Sequence, residues 1–253
     1  MTKVNLGAIR VDVLSDEEVI SRINIELLNS KSPKILVTPN AGHLKSIFTS
    51  KEVNEIYLTA DLVLIDGWPI ALAAKISSNL KISRVTGSDL LPKLFSKLSS
   101  NIRIGIIGGK DSVQIRNKLE SKFPFLNIQI IDTSEWSIST YDIRRLREMV
   151  QYNALSIVLL CLGHPKQELL AKALKDYDWV GSRPDWIMCM GASVDFLSEE
   201  QKRAPKLLQK VGLEWLYRLL SNPSKLGKRY LNAIIPSFKL ILKSFRMRKF
   251  NQF

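Results

Sequence analysis

Five strings of this 253-residue chain carry side chains fit for chemistry, and each follows a short apolar run. Thr38-Pro39-Asn40-Ala41 stands after Ile35-Leu36-Val37, where polar groups can hold a ligand against the start of a helix; Asn40 serves equally as a plain helix cap. Asp66 closes Leu62–Ile65 and precedes a turn-forming glycine. A carboxylate half-withdrawn from water there suits a general base toward a sugar hydroxyl, with capping of the helix entered near Pro69 as the alternative. Ile104 through Lys110 reads as strand, glycine turn and helix start, so Gly108, Gly109 and Lys110 can bring the backbone close to a phosphate or nucleotide. Their spacing matches neither the dinucleotide fingerprint nor the P-loop. Asp132, ending the next apolar run, is placed to meet a ribose hydroxyl by analogy with doubly wound folds. In Gly163-His164-Pro165-Lys166-Gln167-Glu168, Gln167 and Glu168 fall in the first turn of a helix. Gln167 suits a base edge or a sugar; His164 is an acid, a ligand or simply a hydrogen-bonded loop residue. Gly191-Ala192-Ser193-Val194-Asp195 offers small residues for close approach, and Asp195 for the same cleft. Together the strings predict one composite pocket of a nucleotide-dependent α/β enzyme.

The elements that must position these residues alternate in type. Short β-branched runs at Ile9–Leu14, Lys34–Val37, Leu62–Ile65, Ile102–Ile107, Ile128–Ile131, Ser156–Cys161 and Trp186–Met190 predict strands of a mostly parallel sheet. Between them lie helical patterns, the first announced by a Ser15/Glu18 capping box. This is an α/β, Rossmann-like arrangement with flanking helices, one body over residues 1–198 or two lobes meeting near residue 100.

From about Glu199 the pattern is helical only. The stretch 202–253 holds thirteen Lys and Arg against the single acid Glu214, so it carries +12 of the chain's net +13. Beyond Pro223, Leu226, Tyr230, Ile234, Phe238, Ile241 and Phe245 recur at helical spacing and predict one apolar face beside the charges, with Pro236 expected to kink or divide the helix. Such a tail is built to meet an anionic surface or phosphates. The first residues lack a signal-peptide pattern, and no uninterrupted apolar run is long enough to span a bilayer. Two cysteines in apolar runs fit a reducing compartment, and two widely separated histidines argue against a metal site.

The strings TPNAGHL (38–44), ADLVLIDGWP (60–69), RVTGSDLLPKL (84–94), IGIIGGK (104–110), GHPKQE (163–168) and MGASVDFL (190–197) occur in this order. With KRAPKLLQKVGLEWLYRLLSNPSKLGKRYL (202–231), they resemble the bacterial WecG/TagA/CpsF glycosyltransferases, glycosyltransferase family 26. The resemblance implies a metal-independent, cofactor-free, inverting transferase. It would move a hexose, N-acetylmannosamine or a relative such as glucose, from a UDP-sugar to a polyprenyl-diphosphate-linked sugar in cell-surface polysaccharide synthesis. It implies peripheral attachment at the cytoplasmic face of the bacterial inner membrane, through the basic tail on anionic lipid, and an oligomer that buries part of that tail. Carried over by residue, Asp66 is the base, Thr38 and Asn40 lie beside it, and Arg84, Gln167 and Asp195 line the nucleotide-sugar cleft. Arg218, in the helical basic appendage 199–253, completes the site over the diphosphate, with Lys225 and Lys228 as further donors. The resembling sequences often carry arginine around 225–228, and lysine is a point charge without the bidentate fork, so the individual roles of those two positions stay open. Trp68-Pro69 also replaces small residues, and the donor hexose is open.

Two other classes fit parts of the sequence. A nucleic-acid-binding protein would use the basic tail on phosphates, but the tail's regular aromatic-rich apolar face and the absence of a nucleic-acid motif speak against it. A nicotinamide-dependent oxidoreductase would need a glycine spacing that residues 105–109 lack.

Overall fold

A computed structural model describes residues 2–133, 140–201, 203–205, 207–208, 214–221 and 223–250, and within these the side chains of Leu28, Thr140, Tyr141, Arg218, Lys225, Lys249 and Phe250 lie outside what is described. The chain opens with a small antiparallel pair, β1 (Lys3–Asn5) and β2 (Arg10–Asp12). The run at Ile9–Leu14 therefore forms its own hairpin and is no part of the parallel sheet. Helix α1 (Asp16–Asn29) follows, and its capping box is present: the Glu18 N–H donates to Ser15 Oγ, and the Ser15 N–H to Glu18 Oε2 at 2.7 Å.

The remaining elements in order are β3 (Lys34–Val37), the 3-10 turn η1 (Ala41–His43), α2 (Leu44–Thr49), α3 (Lys51–Thr59), β4 (Leu62–Val63), α4 (Trp68–Ser77) and α5 (Gly87–Phe95). Then come β5 (Arg103–Gly108), α6 (Ser112–Lys122), β6 (Asn127–Ile131), α7 (Thr140–Tyr152), β7 (Ile157–Cys161), α8 (Lys166–Lys175), β8 (Trp186–Cys189) and α9 (Ser193–Leu197). Beyond these lie the penultimate helix Glu214–Ser221 and the C-terminal helix Pro223–Phe250.

Six strands form one parallel sheet in the order β4-β3-β8-β7-β5-β6, as predicted for an α/β body. The first strand of the sheet, β3, pairs with the last, β8, so segments from both halves of the chain share it. Strands buried on both faces need continuous apolar sequence, and IVLLC of β7 and WIMC of β8 are buried at every position. Two cores result. One face packs Leu44, Tyr57, Ile70, Leu146 and Leu174 from α2, α3, α4, α7 and α8; the other packs Val19, Leu91, Ile115 and Val194 from α1, α5, α6 and α9.

The C-terminal helix departs from expectation in two ways. It is not divided at Pro236: one helix spans Pro223–Phe250, with Ala233, Ser237 and Leu240 buried on either side of the proline. Its buried face is also not the one that residue size suggested. Ala233, Ser237, Leu240 and Ser244 pack inward, toward α4, η1 and α2, whereas Ile234, Phe238 and Phe245 face outward. Small residues let the helix approach the alanine-rich α4 closely, and hydropathy alone does not signal that.

Candidate functional site

In a parallel sheet the carboxyl ends of all strands open on one edge, and the sequence-predicted strings are gathered there. After β3, the buried Thr38 donates its hydroxyl to the Cys189 carbonyl at the end of β8 (3.0 Å), tying the two strand ends together. Asn40 caps η1, its Oδ1 accepting the Gly42 N–H at 3.0 Å, and the same oxygen faces Arg229 Nη2 of the C-terminal helix at 3.4 Å. A Cβ on Gly42 would stand 2.4 Å from Arg229 Nε, so the guanidinium lies directly on this turn.

Asp66 follows β4, but the cap position of α4 belongs to Gly67, which offers no side-chain cap. A Cβ on Gly67 would meet the Asn40 Cα at 2.8 Å, which packs the Asp66 and Asn40 loops against each other. Arg84 Nε donates to the Asp66 carbonyl at 3.0 Å. Two residues on, Thr86 caps α5 and donates its hydroxyl to Asp89 (2.7 Å). Arg203, from the segment after α9, grips Asp89 Oδ1 at 2.6 Å and lies within the field of Asp66. Burial works to raise the Asp89 carboxyl, and the bonds from Arg203 and Thr86 overcome it and lower it below the usual range. Arg84 thus reaches the Asp66 loop directly and Asn40 packs on it at Gly67, while Arg229 and Arg203 bind the adjoining Asn40 and Asp89.

The glycine turn lies further along the sheet. Gly108 and Gly109 take φ of 89° and 101°, a left-handed backbone that side-chain-bearing residues rarely adopt. The turn aims the Lys110 N–H at Asp195 Oδ1 (2.9 Å), so the β5 turn and α9 meet. Asp132 is exposed beyond β6, the edge strand opposite β4. Five strand spacings, about 24 Å, separate those edges, so the fold does not bring Asp132 to Asp66.

Gln167 and Glu168 are buried. The Gln167 Oε1 accepts the Gly191 N–H at 3.0 Å and its Nε2 donates to Glu168 Oε1 at 3.0 Å, which fixes both ends of the amide. Tyr57 donates its only hydroxyl proton to the same Glu168 oxygen (2.9 Å), so the 3.0 Å contact between Tyr57 and His43 requires His43 to donate through Nδ1–H. Burial, aided by His164 and Arg229 and opposed by Glu168, takes His43 down to about 3, leaving it neutral. Burial likewise opposes the Glu168 charge, but the His164 ring, 3.1 Å from Oε2, prevails and brings the carboxyl to about 2. His164 also contacts the Ser46 hydroxyl through Nε2.

Thus the two histidines, 121 residues apart in sequence, are neighbours in space, which sequence spacing concealed. His43, His164 and Glu168 offer ligand atoms within 4.8 Å of one another. The imidazoles are stacked, however, with centroids 4.2 Å apart and planes at 13°. Near-parallel stacked rings keep their in-plane lone pairs in separate planes, so one cation could not sit in both without a ring turning. The cluster acts as a hydrogen-bonded support beneath Gln167.

Of the basic residues expected from the tail, Lys228 is exposed, while the side chains of Arg218 and Lys225 lie outside the described residues. Arg203 and Arg229 lie within the 202–231 string, but sequence reasoning gave neither an individual role, since the Asp89 and Asn40 contacts depend on what a distant segment places beside each. A family model for the glycosyl transferase WecG/TagA/CpsF family matches residues 4–251, nearly the whole chain.

Proposed function

Because the chain belongs to the WecG/TagA/CpsF family of glycosyltransferases, we propose that it transfers a hexose from a UDP-sugar to a polyprenyl-diphosphate-linked sugar with inversion. The observation that supports this reading is the Asp66 loop at a strand's carboxyl end, with Arg84 on its backbone and Asn40 and Arg229 on the adjoining loop. In the proposed step the acceptor hydroxyl oxygen attacks the anomeric carbon, Asp66 takes the hydroxyl proton, and the anomeric carbon–oxygen bond breaks with its electron pair passing to the UDP diphosphate. Cationic side chains offset the charge that develops there, so the step is balanced without a metal ion. Arg229 joins Arg218, Lys225 and Lys228 as a candidate for that role. Thr38 and the Gln167–Glu168 support hold the strand ends, and the Gly108–Lys110 turn with Asp195 offers backbone to the nucleotide.

The tail reading extends to a membrane surface. Leu231, Ile235 and Phe238 on the C-terminal helix are 70%, 77% and 65% exposed, beside Lys239, Lys243 and Arg246. No helix among the described residues is long and apolar enough to cross a membrane. An exposed apolar stripe flanked by cations suits peripheral docking on anionic lipid at the cytoplasmic face, where a polyprenyl-linked acceptor would be found.

Radiolabelled transfer from a panel of UDP-sugars to a lipid-diphosphate-N-acetylglucosamine analogue tests the activity. Asp66→Asn should lower kcat by roughly a hundredfold or more, the scale of general-base catalysis, without changing the melting temperature. Full activity in that variant would exclude Asp66 as the base.

A further inference from the structure

A cavity of about 440 Å³ lies between the body and the penultimate helix, lined by Phe196, Glu199, Gln201, Arg203, Pro205 and Tyr217. We propose that this cavity is the subsite for the acceptor's sugar, a neutral pyranose held against Phe196 and Tyr217; this rests on the transferase reading above. Its walls have the composition such a ring needs. Phe196, Tyr217 and Pro205 supply apolar surface for the C–H face, while Gln201, Arg203 and Glu199 supply hydrogen-bond donors and acceptors for hydroxyls. The charges of the lining are already paired within the protein, Glu199 with Lys118 and Lys122 and Arg203 with Asp89, which suits uncharged hydroxyls.

The backbone shapes this wall at some cost. Glu199 adopts φ of 67°, a left-handed conformation uncommon outside glycine, and Lys118 and Lys122 hold its carboxylate at 3.0 and 2.9 Å. The reversal returns the Gln201 N–H to the Asp195 carbonyl (3.0 Å), bringing Gln201 and Arg203 back across Phe196. Arg203 binds Asp89 through its terminal nitrogens, while its buried Nε has no hydrogen-bond partner among the described residues. Arg203 also holds Asp89 at the start of α5, and Arg84, just before that helix, donates to the Asp66 carbonyl, so one short segment ties the cavity wall to the Asp66 loop.

The test separates acceptor from donor. In full-length protein, Gln201→Ala and Tyr217→Ala should each raise KM for the lipid-diphosphate-N-acetylglucosamine analogue about tenfold, leaving kcat and the UDP-sugar KM within about twofold. A rise in the UDP-sugar KM with the acceptor KM unchanged, or no change in either, would overturn the assignment. Saturation-transfer NMR with methyl N-acetyl-β-glucosaminide gives a readout independent of turnover. Signal in the wild type that is lost in both variants, at unchanged melting temperature, supports the subsite even if no UDP-sugar proves to be a donor. Absence of signal in the wild type, or equal signal in all three proteins, overturns it.

Discussion

At the scale of single residues, the polar groups at the strand ends divide into those held by the protein and those turned toward the cleft. Thr38, Gln167 and Glu168 have their hydrogen-bonding capacity engaged by Cys189, Gly191 and Tyr57, and they serve as girders. Burying them costs free energy unless each polar atom is paired: Glu168 Oε1 accepts from both Tyr57 and Gln167, whereas its Oε2 has only the 3.1 Å contact with the His164 ring. The His43 environment gives a pH signature. Its folded pKa lies near 3, below the ordinary value of 6.5, so between those limits the unfolded chain binds a proton that the folded one does not. Stability is therefore lost as pH falls below about 6.5. Glu168 has the same sign in a lower window, its stabilisation fading from near pH 4.5 toward 2. Melting temperatures of the wild type should drop by several degrees from pH 7 to pH 5, and His43→Gln, though less stable at pH 7, should show a shallower drop. Parallel melting curves would refute the linkage. The chemical strings were legible at this scale because each is local. The His43–His164 stack was not, since stacking across 121 residues leaves no trace in spacing.

At the scale of elements, strands were readable because a doubly covered parallel sheet demands continuous apolar runs. The exceptions are informative: Ile9–Leu14 looks like such a run, yet β2 pairs only with β1, and α3 lay hidden in a polar-looking stretch, KEVNEIYLT, whose Val53, Ile56 and Tyr57 face inward. Two glycines in adjoining loops give contrasting predictions. In Gly42→Ala the new methyl meets the Arg229 side chain, which can swing away; the melting temperature should hold within about 2 °C while transfer falls several-fold. In Gly67→Ala the methyl meets the Asn40 backbone, which cannot, so the variant should lose both activity and stability, by roughly 1–3 kcal/mol as for other overpacked sites. Unfolding by urea beside a transfer assay distinguishes the two. Equal loss of stability in both variants would show that Arg229 is no more yielding than the backbone.

At the scale of the molecule, the basic tail is part of the fold as well as a surface. Leu240 is fully buried with the sheet-packing core, so Leu240→Ala should cost about 2–5 kcal/mol, and truncation after Arg229 should destabilise the body instead of merely releasing it from lipid. Conversely, Phe238→Ser with Leu242→Ser, both positions exposed, should leave the melting temperature within about 2 °C and weaken sedimentation with phosphatidylglycerol vesicles several-fold. Undiminished vesicle binding would remove the helix as the docking element. Amphipathic spacing was visible in the sequence; which side faced the protein was not, because close helix contact favours alanine and serine over the bulky residues that dominate hydropathy. The same helix has a metric consequence. From Arg229 beside Asn40 to Phe245 near its far end it rises about 24 Å as one continuous helix. If that rod lies along a bilayer, the cleft is pinned level with the lipid headgroups and cannot follow a growing glycan outward. The enzyme would then act as a depth gauge, accepting a first sugar next to its lipid diphosphate and passing over longer chains whose ends stand clear of the surface.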